Sequence, residues 1–158
     1  MGGAIGFLRV ALVISFTASM VLAVAIDARS RRFPNHLAAV MAFEALSLAM
    51  ILHPFSRFIV HVVFSLIIFA VLFAFEMIWR FVFKREGMGV GDAKAIAILA
   101  IISPAGAIAA FCASMVVLVL ICALRKLESL PLLPMLLPIF SIVMVCWPAI
   151  WGHLDAIS

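Results

Sequence analysis

Charge is what this chain has least of. Only 11% of its 158 residues are Asp, Glu, Lys or Arg and 68% are hydrophobic, whereas soluble domains carry about 25% charged and about 45 to 50% apolar residues. That excludes an ordinary soluble domain and implies a polytopic membrane protein built almost wholly of helices. Long hydrophilic stretches are missing as well. The longest polar connections, around residues 27 to 36 and 80 to 92, are too short to fold separately, so residues 1–158 read as a single transmembrane domain. The net charge of +4 therefore bears on topology, and nucleic acid is not expected as a partner. Paired cysteines are absent: Cys112, Cys122 and Cys146 lie scattered in apolar sequence. Without a C-x-x-C pair there is neither a four-cysteine zinc site nor a disulfide framework to infer, and the three read as small buried hydrophobes. No internal repeat and no low-complexity linker is evident.

What is present is a series of apolar runs. The first covers residues 10 to 26 and ends at Asp27. Ala23-Val24-Ala25 mimics a signal-peptide cleavage site. The cations Arg29, Arg31 and Arg32 follow at once, however, and favour a retained transmembrane helix. Pro34-Asn35 closes a basic turn, since the residue before proline is pushed out of helical geometry. A second span is expected over about 37 to 53, with Glu44 inside it and His53-Pro54 ending it, and a third over about 58 to 79. Glu76 and Arg80 stand at i, i+4 spacing, where they can neutralise each other.

A glycine-rich turn follows, Gly87-Met88-Gly89-Val90-Gly91-Asp92, and beyond it only Ala93 to Ile102 is uninterrupted before Ser103-Pro104. Ten helical residues reach about 15 Å, half of the roughly 30 Å hydrocarbon layer. A spanning fourth segment would thus draw the turn, and Asp92 with it, toward the membrane, where irregular backbone is tolerated only inside protein or along a wet cavity. Ala105 to Leu124 and Leu132 to Trp151, the latter containing Pro134, Pro138 and Pro148, complete an expected six helices.

Counting cations orients them. Arg29, Arg31, Arg32, Arg80, Lys84, Arg85, Lys94, Arg125 and Lys126 fall in one set of alternate loops, leaving Arg9 and Arg57 for the other side. By the positive-inside rule both termini lie outside, and Asp27 and Asp92 both face the cytoplasm.

Ionisable residues at the mouth of a span are costly and point to function. Two carboxylates in one partly desolvated site cannot both ionise easily, which supplies an acid and a base from one residue type, as aspartic proteases require. Glycines next to Asp92 would let an extended substrate backbone approach. Taken alone, the turn reads better as a chain reversal in which Asp92 caps the fourth helix. A dinucleotide loop is disfavoured, because Gly87-x-Gly89-x-Gly91 is not G-x-G-x-x-G and follows a span. Lys94 either orients a partner or snorkels toward headgroups.

Two windows, Ile26-Asp27-Ala28-Arg29-Ser30-Arg31-Arg32-Phe33-Pro34-Asn35 and Gly89-Val90-Gly91-Asp92-Ala93-Lys94, resemble the type IV prepilin peptidase family. In that family an acid precedes Pro-Asn or Pro-Asp by seven residues, and a second acid closes a G-x-G-D motif with lysine shortly after. The resemblance implies a single membrane peptidase domain. Its catalytic dyad would be Asp27 and Asp92, with Pro34, Asn35, Gly89, Gly91 and Lys94 as motif or substrate-binding residues and no metal or cofactor. The implied substrate is a prepilin, its basic leader cut at the cytoplasmic face of the bacterial inner membrane. Phe33 departs from the usual aliphatic residue. The cysteine-bearing cytoplasmic domain of larger members has no counterpart here, so the chain resembles the short Flp/Tad-type form and methyltransferase activity is not expected. Archaeal preflagellin peptidases share the G-x-G-D logic. Outside this class, a proton-coupled transporter or an assembly factor would use the same acids as a relay or packing pair, although no inverted repeat supports it.

Glu44 has no part in the motif and is expected to hydrogen-bond between helices, and Glu76 to pair with Arg80. His36, His53, His61 and His153 lack ligand spacing, so no metal site is expected.

Overall fold

The computed structural model describes residues 2–30, 33–84, 89–125 and 132–151. Within them lie six helices and no strand: α1 (Gly2–Ser30), α2 (Asn35–Leu52), α3 (Phe55–Phe83), α4 (Val90–Ile102), α5 (Pro104–Arg125) and α6 (Leu133–Trp151). Arg31, Arg32, Arg85, Gly87, Met88, Lys126 and His153, all of which entered the sequence reading, lie outside the described residues.

Proline sets several helix ends. His53 and Ser103 each precede a proline and both leave helical geometry, at φ −118°, ψ 147° and φ −152°, ψ 103°. Pro104 then opens α5, where its missing N–H is no loss, and the Ser103 hydroxyl accepts the Gly106 N–H at 3.1 Å. Lys84 closes α3 in the left-handed region at φ 50°, with its N–H on the Arg80 carbonyl.

Among the described residues four helices are long and apolar enough to cross a membrane: Ile5–Ser30 of α1, α2, α3 and α5. At 29 residues α3 reaches about 43 Å, beyond the hydrocarbon thickness. Its outer faces carry exposed Phe64, Ile67, Phe75 and Phe81, which is where lipid would sit.

The short α4 is the axis of the bundle. Apart from Lys94, every residue from Ala93 to Ile102 is buried, and the helix packs against α2, α3 and α5 with α6 also touching it. A helix that is apolar all round belongs inside. Contacts of α1 with α2 and α6 complete the enclosure. The core joins Phe16, Met20 and Ala23 of α1, Met41, Ala45 and Leu48 of α2, Ile96 and Leu99 of α4, and Leu133, Leu136 and Phe140 of α6.

Polar groups stitch these helices. Ser65 donates to the Ala97 carbonyl at 2.6 Å, and a His61 ring nitrogen meets the Ile101 carbonyl at 3.3 Å, so α3 and α4 run antiparallel. The Ser15 hydroxyl donates to Glu44 Oε1 at 2.5 Å, the helix-to-helix bond expected of that acid.

Three expectations are revised. The fourth helix begins at Val90, not Ala93, so Asp92 is inside its first turn. Asp27 likewise lies within α1, which continues to Ser30. Cys112 and Cys146 are exposed and Cys122 partly so. They sit on outer faces of α5 and α6, where an apolar surrounding tolerates a thiol as readily as the core does.

Candidate active site

One end of the bundle gathers the last turn of α1, the start of α2, the C-terminal part of α3 and the head of α4. Two contacts fix this junction. Gly91 lies directly against Phe33: a Cβ on Gly91 would stand 2.9 Å from the Phe33 Cβ, closer than real Cβ atoms approach. Lys94 Nζ donates to Asn35 Oδ1 at 2.7 Å. Lys94 is therefore engaged with α2, and the snorkelling alternative gives way to a tie between the two sequence windows. Pro34, at φ −65° and ψ 136°, holds the extended residue from which α2 starts.

Asp27 is 6% exposed. Asp92 is half-buried at the third position of α4, with Gly89 as N-cap. The Gly89 N–H donates to the Asp92 carboxyl, the half of a capping box that an acid at the third position supplies. Capping and a place in the site are thus not exclusive for this residue. Gly89 needs no special room, since a Cβ there would meet Asp92 Oδ2 at an ordinary 3.6 Å.

Asp92 stands in the first turn of α4, at the end of the bundle, ahead of the apolar run from Ala93 to Ile102. Its carboxyl is pushed up to about 7, first by burial, then by the negative charge of Asp27, with a smaller push from Glu76, against the Gly89 hydrogen bond that favours the anion. Around neutral pH the site retains a proton that an isolated aspartate would have lost. A protonated carboxyl beside an ionised one is an arrangement that can supply a general acid and a general base.

Glu76, in the C-terminal part of α3, lies toward the same end of the bundle. Its pairing with Arg80 was expected and is present, Arg80 Nε to Glu76 Oε1 at 2.5 Å. Its action on Asp92 was not, since nothing in an i, i+4 pair reveals what the helix packs against. Glu44, bonded to Ser15, takes part instead in the α1–α2 contact.

Histidines gather at the opposite end of α4. His53 Nε2 lies 3.1 Å from the Ile102 carbonyl, and the rings of His53 and His61 meet edge-on at 4.5 Å. Carbonyls only accept, so the facing ring nitrogens carry the hydrogens and satisfy the open C-terminus of α4. Among the described residues no group of three or more His, Cys, Asp or Glu is arranged to hold a metal.

The chain matches the sequence model described as the Type IV leader peptidase family over residues 14–124, from within α1 to the last turn of α5. No curated protein matches the chain. No solved structure matches it either.

Proposed function

The chain belongs to the type IV leader peptidase family, and from that premise we propose that it is an aspartic endopeptidase whose catalytic pair is Asp27 and Asp92. Family membership makes it a membrane peptidase of leader peptides, with a prepilin-type substrate in general. The finer reading is that the ionised carboxylate of the pair takes a proton from water as the water oxygen adds to the scissile carbonyl carbon. The protonated carboxyl gives its proton to the carbonyl oxygen. Collapse of the gem-diol breaks the C–N bond: one hydroxyl returns its proton to the carboxylate that had donated one and becomes the new carbonyl, while the departing nitrogen receives the proton first taken from water, so the pair again holds one proton.

What supports this reading is that the two acids share one end of the bundle. They come from helices far apart in sequence, at an end locked by Gly91 on Phe33 and Lys94 on Asn35, and the charge of one acts on the other. A pair brought together only for packing would gain nothing from two desolvated acids.

The resemblance and the loop charges extend the proposal. Six helices cross the bacterial inner membrane with both termini outside, the acids face the cytoplasm, and the substrate is a Flp-type prepilin with a basic leader. Asn35 and Lys94 border the site, where Pro34 sets the start of α2, and Gly89 and Gly91 give the substrate backbone close access.

Co-expression with a Flp-type prepilin tests it. Conversion to the mature form should occur with the native chain and fail with Asp27→Asn and with Asp92→Asn, each still inserted in the membrane. Cleavage surviving both substitutions would sink the assignment.

A further inference from the structure

The tail of α4 is held from outside the helix. Its last backbone bond is the Ser103 N–H on the Leu99 carbonyl at 3.1 Å. Pro104 has no N–H to continue the ladder, and the Gly106 N–H, which a continuing helix would turn to Ile102, goes instead to the Ser103 hydroxyl. Two histidines of the α2–α3 corner meet the carbonyls left open. His53 Nε2 lies 3.1 Å from the Ile102 oxygen and His61 Nδ1 lies 3.3 Å from the Ile101 oxygen. The two rings brace each other edge-on at 4.5 Å. Each is fixed by its own helix: His53 ends α2 in extended geometry with its N–H on the Ala49 carbonyl, and His61 stands in the second turn of α3. Two neighbouring helices thus each hold one of the last two carbonyls of α4.

Resting on the Asp27/Asp92 reading, we propose that His53 and His61 are positioning residues, whose bonds to the Ile102 and Ile101 carbonyls fix α4 along its axis and thereby fix where its first turn presents Asp92. Most of the surface that α4 buries is alanine, isoleucine and leucine. Apolar contact is non-directional, whereas a hydrogen bond to a carbonyl has a preferred length and angle. A helix rises 1.5 Å per residue as a stiff rod, so a shift at Ile102 is carried to Asp92, ten residues and about 15 Å away. Lys94 on Asn35 steers the head of the same rod, and the histidines set its tail. Neither ring meets the reacting atoms, because both lie at the far end of α4.

The test is prepilin cleavage by the purified full chain in detergent, expressed per folded molecule. His53→Phe and His61→Phe keep a ring and donate nothing. Each should lower kcat about tenfold, since a small misplacement caused far from the chemistry still costs rate, and should leave KM unchanged. His53→Gln and His61→Asn return an N–H donor near the place of Nε2 and Nδ1 respectively, and should restore most of the rate. Should a phenylalanine variant fail to accumulate, alanine takes its place, because the space it leaves lets water satisfy the carbonyl without fixing it. A merely structural role would lower the thermal midpoint while the molecules still folded cleave at the native kcat, and that result overturns the inference. Equal losses in the ring and amide variants overturn it as well, because donation would then not be what matters. Both results leave the dyad standing. Cleavage that survives Asp27→Asn and Asp92→Asn overturns the dyad and this inference together.

Discussion

Lys94 Nζ and Asn35 Oδ1 meet at 2.7 Å, joining residues 59 positions apart in sequence. This bond ties the head of the central helix to the start of α2, and with Gly91 against Phe33 it sets where Asp92 points relative to α1. A bond at a partly exposed position adds little to stability, yet an acid displaced by about an ångström can cost a hundredfold in rate. Lys94→Met and Asn35→Leu should each lower prepilin cleavage about ten- to a hundredfold, with unchanged amounts of inserted protein. Because each removes the same tie, the double variant should be scarcely worse than either single one. Multiplying losses would show that the two act separately.

The glycines of the G-x-G-D motif should differ. Gly91→Ala places a Cβ 2.9 Å from the Phe33 Cβ, an atom bound directly to backbone that cannot swing away. The junction must open, and cleavage should fall by about a hundredfold. Phe33→Ala keeps that Cβ and should not rescue, whereas Phe33→Gly should restore part of the rate. Gly89→Ala meets only an ordinary 3.6 Å contact and has φ −61°, ψ 143°, open to alanine, so its loss should be severalfold at most. Equal losses for Gly89→Ala and Gly91→Ala, read by prepilin maturation, would contradict this account.

Much of this arrangement is legible in the chain, for identifiable reasons. Apolar runs announce the helices because lipid leaves the backbone few other choices. Pro34 and Gly91 carry the junction, since local geometry demands their residue types, while Asp27 and Asp92 stand out as acids bordering apolar runs. Helix ends were less legible. Asp27 reads as the residue that stops a span, but α1 continues past it with the acid buried. Val90, Gly91 and Asp92 read as turn, but they form the first turn of α4. Cys112 and Cys146 were misplaced because hydrophobicity cannot separate a core-facing from a lipid-facing position when both surroundings are apolar. The meeting of His53 with His61, and of both with the end of α4, depends on how the helices pack, which no local pattern encodes.

Ser15 and Glu44 offer a test of stability separate from the site. Ser15→Ala removes the donor at 2.5 Å from Glu44 Oε1, while Oε2 has no hydrogen-bond partner among the described residues. The cost should be about 1 kcal/mol, as for interhelical bonds in membranes. Replacing both, Ser15→Ala with Glu44→Leu, removes the stranded acid and should restore or exceed the native midpoint of thermal unfolding in detergent. A double variant less stable than Ser15→Ala would refute it.

The pH dependence of the native chain follows from Asp92. Its carboxyl, lifted from 3.8 to about 7, binds a proton more tightly folded than unfolded. Folded-state stability from this group is therefore fully present below about pH 4 and is lost as pH rises through 7, the sign opposite to that of a salt-bridged carboxylate. Catalysis carries the same alkaline limb for a different reason. The pair works with one proton, and once Asp92 ionises no acid remains to protonate the carbonyl oxygen. Cleavage in detergent or membranes should thus decline as pH rises above about 7, roughly tenfold per unit at the steepest. Lower pH should also reduce it, once the second carboxylate is protonated. Thermal unfolding over the same range separates the two effects, because protein that stays folded at pH 8.5 while cleavage has dropped has lost the proton and not the fold. A rate that is flat from pH 6 to 9 would show that Asp92 is not the acid that limits turnover.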